Sequence, residues 1–336
     1  MSEFLVDVIR GNLVESRHRG DAVVVNSAGK VLAYVGDPYH VSYLRSSAKP
    51  IQALNVVLSG AAEKFSFSDK EIAIMCASHY GEDFHRKTIM GMLDKFGLDL
   101  DSLLCGSPIS IDFEYAMKLA AAGHKFDQAN SDCSGKHCGF IAACLTKGYH
   151  IENYDHPDHP LQKDVTEVIS KMCEIPVEKI VIGEDGCGVP VHGMPLFNMA
   201  LGFAKLANPE NLSPEYKKAC ERIFRAMNAA PEMLAGTNGF CSELVRHTHG
   251  KLIAKLGAEA VYCVGIKGTD MGIAVKIEDG EYHRALNPAV MSILIQLGAL
   301  SNEEITALSQ FISPKNINHH NHVVGEIKTV FDLIKI

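Results

Sequence analysis

Residues 21–36, Asp21-Ala22-Val23-Val24-Val25-Asn26-Ser27-Ala28-Gly29-Lys30-Val31-Leu32-Ala33-Tyr34-Val35-Gly36, set the fold class. Two β-branched, apolar runs flank Asn26-Ser27-Ala28-Gly29, a group suited to a tight reversal, so the stretch predicts an antiparallel hairpin. A lone hairpin cannot bury an apolar face by itself, so further strands are required. Upstream, Leu5–Ile9 and Leu13–Ser16 read as two more short strands around the turn Arg10-Gly11-Asn12. From about residue 47 to about residue 248 the pattern becomes helical. Starts are marked by Ser68-Asp69, Asp112, Ser134, His159-Pro160 and Ser213-Pro214, and stops by Gly60, Gly97 and Gly148. Strand character returns in Ala260–Ile266 and Met271–Gly280, followed by helices expected at 287–299 and 302–312. The expected fold class is therefore mixed α/β, with a mainly antiparallel sheet built from N- and C-terminal strands around a helical middle. No repeat and no Pro/Gly/Ser linker divides the chain, which predicts one continuous unit over residues 1–336.

Composition narrows the ligand. A net charge of −8 repels nucleic acid and anionic membrane surfaces, which leaves a small molecule as the expected partner. No stretch approaches the ~20 apolar residues of a membrane span, and Met1–Leu13 lacks the apolar run of a secretion signal. The expected location is the cytoplasm, where ten cysteines stay reduced and call for packing, metal binding or catalysis as their explanation. Cys76, Cys138, Cys144, Cys173, Cys220 and Cys263 lie in apolar or helix-patterned surroundings and are expected in the core.

Two polar runs sit where helices begin. In Arg45-Ser46-Ser47-Ala48-Lys49-Pro50, a helix opening near Ser46 puts Ser46 and Lys49, three apart, on one face, which selects Ser46 over Ser47. A desolvated lysine can take a serine proton and make the hydroxyl a nucleophile; an N-cap serine followed by a solvated lysine is the plainer alternative. In Asn130-Ser131-Asp132-Cys133-Ser134-Gly135-Lys136-His137-Cys138, the first helical turn favours a thiolate. Together with Gly183-Glu184-Asp185-Gly186-Cys187-Gly188 it supplies two thiols on separate loops, a soft-ligand frame for zinc or a glycine-rich loop with an incidental thiol. Ser78 and His79 follow an apolar helical segment, either orienting a substrate or forming a polar helix end. Asn318-His319-His320-Asn321-His322 has the composition of a metal site without a neighbouring carboxylate or thiol, and reads as a surface loop.

Taken with Ala77–Glu82, His159–Gln162 and Gly183–Pro190, these runs resemble the rhizobial-type, class 3 L-asparaginases, the asparaginase II family. The resemblance extends from about residue 5 to about residue 330. It implies a fold like those of serine β-lactamases and glutaminases, a homodimer, and two Ser-Lys pairs beside a zinc ion held by two Cys, one Lys and water. Carried across, the pairs are Ser46 with Lys49 and Ser78 with Lys255, Lys251 being the alternative to Lys255. The ligands of Zn2+ are Cys133, Lys136 and Cys187. By charge pairing, Arg45 is expected to anchor the carboxylate of L-asparagine and Asp185 to meet its ammonium, and His79 and Cys241 are expected near the pocket. Ser46 then attacks the side-chain amide, Lys49 takes its proton and Ser78 with Lys255 completes the relay; a zinc-bound water is the alternative nucleophile.

Three other readings compete. A glutaminase differs by one methylene, a discrimination of only ~1 to 3 kcal/mol. A penicillin-interacting hydrolase shares Ser-x-x-Lys, but here Ser-Asp-Asn is missing and Lys-Thr-Gly is replaced by Lys267-Gly268-Thr269. A non-catalytic amino-acid or zinc sensor would use the same loops without turnover.

Overall fold

The computed structural model describes residues 1–336. They group into two compact units, Met1–Ser47 with Gly193–Asn208 and His247–Ile336, and Ala48–His192 with Pro209–Arg246.

The first unit is built on a nine-stranded sheet. Its path runs Lys315–Ile317, Val323–Thr329, Glu3–Arg10, Leu13–Asn26, Met271–Ile277, Val261–Ile266 and Leu252–Gly257. Val31–Val35 bridges Leu13–Asn26 and Ile334–Lys335. Every registered pair is antiparallel, and the two chain ends meet where Val6 faces Thr329, as expected from the terminal strand runs. The hairpin forms with Ala22 opposite Val35, and Gly29 takes φ 77° in its turn. One expectation needs correction. Leu13–Ser16 and Ala22–Ser27 are not separate strands but lie along a single 14-residue strand, Leu13–Asn26. Its first half pairs with Glu3–Arg10 and its second half with Met271–Ile277 and Val31–Val35. Gly20 marks the exchange of partners, and a Cβ there would lie 2.4 Å from the Lys276 carbonyl oxygen. The sequence pattern breaks at Arg17-His18-Arg19-Gly20, whereas the backbone continues because a glycine lets the strands approach.

Helix Leu196–Ala207 packs on this sheet over Gly265 and Gly272, which face each other across adjacent strands. Added Cβ atoms would lie 2.4 Å from the Phe203 carbonyl oxygen and 2.0 Å from that of Ala200, so the absent side chains set how closely the helix can approach. The helix expected at 287–299 covers Asn287–Gln296. The one expected at 302–312 is α-helical over Asn302–Ala307 and continues as a 3-10 turn at Ser309–Phe311. Asn318–His322 is a turn between strands with all three histidines exposed, and the Asn318 side chain accepts from the backbone amides of His320 and His322. Its composition reflects turn chemistry.

The second unit is mainly helical, and its boundaries follow the sequence signals. Ser68 and Glu71 form a reciprocal capping box, and Pro160 and Pro214 occupy first turns, where a missing N–H costs no helical bond. Gly60, Gly97 and Gly148 take left-handed φ values of 82°, 69° and 72° after the helices Lys49–Leu58, Asp83–Phe96 and Ser134–Lys147. In the last of these, Ser134 through Cys144 are all buried, as befits a central helix. All ten cysteines are free and buried. No helix is long and apolar enough to cross a membrane.

Candidate active site

The chain between the two units does not open directly as an α-helix. Arg45–Ala48 is a 3-10 turn in which Arg45 has φ 49°, and α-helical geometry starts at Lys49. The helix expected to start near Ser46 therefore begins three residues later, with Pro50 accommodated in its first turn. Arg45 and Ser46 are half-buried and belong to the first unit, as does Lys255. Lys255 lies on the Leu252–Gly257 strand, is fully buried, and donates from Nζ to the Leu256 carbonyl at 2.8 Å. The alternative, Lys251, reaches the surface and pairs with Glu304 at 2.6 Å, which leaves Lys255 as the buried amine of this segment.

The second unit gathers most of the other candidates. Helix Ser134–Lys147 brings its first turn against the end of helix Asp69–Met75, where Gly135 makes the approach possible: a Cβ there would sit 2.1 Å from the Ile74 carbonyl oxygen. The Asn130–Lys136 run is thereby set beside the segment that follows Met75. Lys49 is almost wholly buried, and its Nζ donates to the Ala77 carbonyl at 2.6 Å. The same nitrogen lies 3.1 Å from Ser78 Oγ, 3.2 Å from the Asp132 carbonyl and 3.3 Å from Asp132 Oδ2. Burial pulls the Lys49 pKa down, but Asp132 and the nearby thiols outweigh it and the net shift is upward. In this arrangement Lys49 is an ammonium, with a carboxylate as counter-ion and a serine hydroxyl as neighbour. Asp132 lies inside the Asn130–Cys138 run, and its role emerges only from its contact with Lys49. Its place directly before Cys133 was the available signal.

His79 is fully buried. Its Nδ1 accepts the Gly81 amide at 3.1 Å, so Nε2 carries the proton and donates to Ser134 Oγ at 2.9 Å. Burial, with His85 and Lys49 nearby, drives its pKa well below the ordinary range, and the ring is neutral. Tyr80 packs against Gly236 and Gly239, where Cβ atoms would meet its ring and hydroxyl at 2.6 Å and 2.8 Å. Its pKa is raised by burial and by the buried Cys241.

Cys133, Lys136 and Cys187 form the second cluster. Lys136 Nζ donates to Cys187 Sγ at 3.0 Å, and both side chains are buried. Cys187 is held well below the ordinary thiol range by the hydrogen bond from Cys133 and by Lys136, while Cys133 is raised by that same bond and by burial. The two shifts are opposite, so of the two sulfurs Cys187 is the one pushed toward the anion. Burial lowers the Lys136 pKa, but the thiols and the Asp185 carboxylate reverse the shift upward. Two soft sulfur donors and an amine converging from two loops fit a zinc ion, provided the amine and Cys133 give up protons on binding. Asp185 is half-buried at the glycine-rich turn, where its amide donates to the Val189 carbonyl and its own carbonyl accepts from Gly188, with φ 87°. A separate cavity of about 420 Å³ opens on the other residues of this loop, Gly183, Glu184 and Gly188, together with Asp155 and His156; none of the two clusters' side chains lines it.

The sequence model of the family described as L-asparaginase II matches residues 6–329. Comparison with curated proteins gives no match. Among solved structures, the chain is similar to Mglu in its native form in 4.3 M NaCl, with 12% identity, a TM-score of 0.46 and coverage of 84% of this chain. It spans 61% of the length of Mglu. It is also similar to a β-lactamase from Mycobacterium bovis, at 13% identity and a TM-score of 0.43, covering 84% of this chain and 95% of that one.

Proposed function

The chain belongs to the L-asparaginase II family, and from that premise we propose that it is an amidohydrolase that converts L-asparagine to aspartate and ammonia. One observation carries the chemistry: the buried Nζ of Lys49 lies 3.1 Å from the hydroxyl of a buried serine, Ser78. Hydrolysis of an amide needs a nucleophile, a proton for the departing ammonia and a shelter for the oxyanion. A charged lysine on a serine hydroxyl is equipped for the second task. We assign Lys49 and Ser78 to proton delivery at the leaving nitrogen, with Asp132 holding Lys49 in place. Ser46 is the proposed attacking hydroxyl, as the family resemblance implies; Lys255, the second buried amine, is proposed to take its proton, and water then releases aspartate from the acyl-enzyme. Arg45 and Asp185 are assigned to the substrate carboxylate and ammonium, since opposite charges fix orientation at a partly screened site. His79 supports the Ser134 end of the site, and Cys241 backs Tyr80.

Cys133, Lys136 and Cys187 would hold zinc. When bound, the ion supplies Lewis acidity and fixes the two loops against each other. The working protein is proposed to be a homodimer, as the family resemblance implies. Purified protein should release ammonia from asparagine faster than from glutamine, and Ser46→Ala should lose that activity while remaining folded. Activity retained in Ser46→Ala removes Ser46 as the nucleophile; no ammonia from either amide removes the amidohydrolase reading altogether. Activity that survives in folded Cys133→Ser and Cys187→Ser reduces the metal to a structural part.

A further inference from the structure

The Lys49 cluster is assembled from two segments, Ala77–Ser78 and Asp132, and the spacing between them decides whether one amine can reach both. A side chain outside the cluster joins them. Arg86 lies in the first turn of helix Asp83–Phe96, shortly after the Ser78 segment. Its guanidinium meets the Asp127 carboxylate fork to fork, Nη1 donating to Oδ1 at 2.6 Å and Nη2 to Oδ2 at 2.7 Å. Nη1 also donates to Asn130 Oδ1 at 2.8 Å. Asp127 and Asn130 brace the 3-10 turn Gln128–Asn130 that leads into Asp132: Asp127 Oδ1 accepts the Ala129 amide and Asn130 Oδ1 that of Asp127, both at 3.0 Å. Asn130 is fully buried with its backbone against Gly81, where a Cβ would lie 3.2 Å from the Asn130 carbonyl oxygen. The root of the arm is fixed as well, since the preceding residue, His85, accepts the Glu82 amide and donates to the Glu232 carbonyl. Arg86 is thus held at its backbone and grips the approach to Asp132 with its guanidinium.

We infer that Arg86 is a positioning residue for proton delivery: its fork on Asp127 and Asn130 holds Asp132 at the distance from Ser78 at which Lys49 Nζ reaches both. The inference rests on the amidohydrolase reading above and deepens it by naming what sets the geometry of the Lys49–Ser78 pair. In the step concerned, the C–N bond of the tetrahedral intermediate on Ser46 breaks as the Ser78 hydroxyl proton passes to the nitrogen. The Lys49 ammonium replaces that proton, and neutral ammonia leaves an acyl-enzyme. Arginine suits the bracing task where lysine does not, because a planar guanidinium spans two acceptors in fixed directions and an ammonium is a point charge on a flexible stem. A misplacement of about 1 Å at a reacting group can cost about 10²-fold in rate. Arg86 and Asp127 form one link, so losing both costs little more than losing either.

The test compares two substrates on the full chain. Asparagine expels ammonia, which must be protonated to leave; the trifluoroethyl β-ester of L-aspartate expels a stabilised alkoxide that has far less need of a proton. kcat/KM is measured for both in the wild type, Arg86→Lys, Asp127→Asn and the double variant, with Lys49→Met as the reference for lost proton delivery. Arg86→Lys and Asp127→Asn should each lower kcat/KM for asparagine by about 10- to 100-fold and the double variant by little more. The ester should be nearly spared, so the asparagine-to-ester ratio falls as it does in Lys49→Met. A purely structural role would instead reduce the share of active molecules and cut both substrates equally. If Arg86→Lys fails to fold, Asp127→Asn carries the same test. Equal losses on both substrates, or no loss on either, in the folded variants overturns the inference, and a selective loss in Lys49→Met then leaves the amidohydrolase reading standing. Equal losses in Lys49→Met remove proton delivery from Lys49 and the role of Arg86 with it. A wild type that releases no ammonia from asparagine overturns the amidohydrolase reading itself.

Discussion

Asn130–His137 and Asn318–His322 are both short runs dense in polar and ligand-type side chains, and the fold treats them in opposite ways. In the first, Ser134, Lys136 and His137 are buried and reach groups far along the chain. In the second, the histidines stand in solvent and the one organising side chain, Asn318, bonds only to its own turn. Burial of a charged group is unfavourable unless it is paired, so a run that tolerates burial has had partners assembled for it. Ligand-like composition is therefore a poor guide to a site, whereas non-local pairing under burial is a good one.

The largest test of that contrast is catalytic. Replacing Lys49 by Met should lower ammonia release from asparagine by about 10²- to 10⁴-fold, the usual worth of a positioned proton donor. Replacing His319, His320 and His322 together by Ala should leave the rate unchanged. A comparable loss from the triple variant would end the distinction between the two runs.

Next in size is packing. Gly135→Ala pushes a methyl group toward the Ile74 backbone oxygen, which cannot swing aside as a side chain can. It should destabilise the fold by about 1 to 3 kcal/mol in urea unfolding, the usual range for overpacking. An unchanged midpoint would show that the first turn of the helix has room to shift.

Acid comes third. Burial lowers the pKa of His85 to about 3, and the ring is fixed between the Glu82 amide and the Glu232 carbonyl. In the unfolded chain it titrates near 6.5. The unfolded state therefore binds the extra proton between those values, so stability is complete above about pH 6.5 and falls as the pH drops toward 3. Its share should reach up to about 2 kcal/mol by pH 5. Unfolding curves for His85→Gln should lose that part of the pH slope; an unaltered slope would mean that His85 is protonated in the folded protein. Smallest of all, the triple histidine variant should shift stability by no more than about 0.5 kcal/mol, as exposed substitutions do.

What the sequence discloses divides along the same line. The hairpin at residues 21–36, the cap at Ser68 and the stop at Gly148 are local choices of the backbone, and each forms where its residues indicate. The continuity of Leu13–Asn26 was hidden because its partners come from both chain ends. The site shows the same limit. Spacing can relate Lys49 only to its near neighbours in sequence, yet the contacts it makes in the second unit are to Ala77, Ser78 and Asp132. Nor does any motif announce that Arg86 grips Asp127 and Asn130, since the relation exists only after two segments have packed.

The pairing of Val6 with Thr329 also has a consequence for biosynthesis. During translation the Glu3–Arg10 strand is made tens of seconds before its second neighbour, Val323–Thr329, at about 5 to 20 residues per second. For that interval one edge of the strand has open backbone donors and acceptors, the condition under which nascent chains stick to one another. Slower elongation lengthens this exposure, so the yield of native protein should depend on how quickly the codons between the two strands are read.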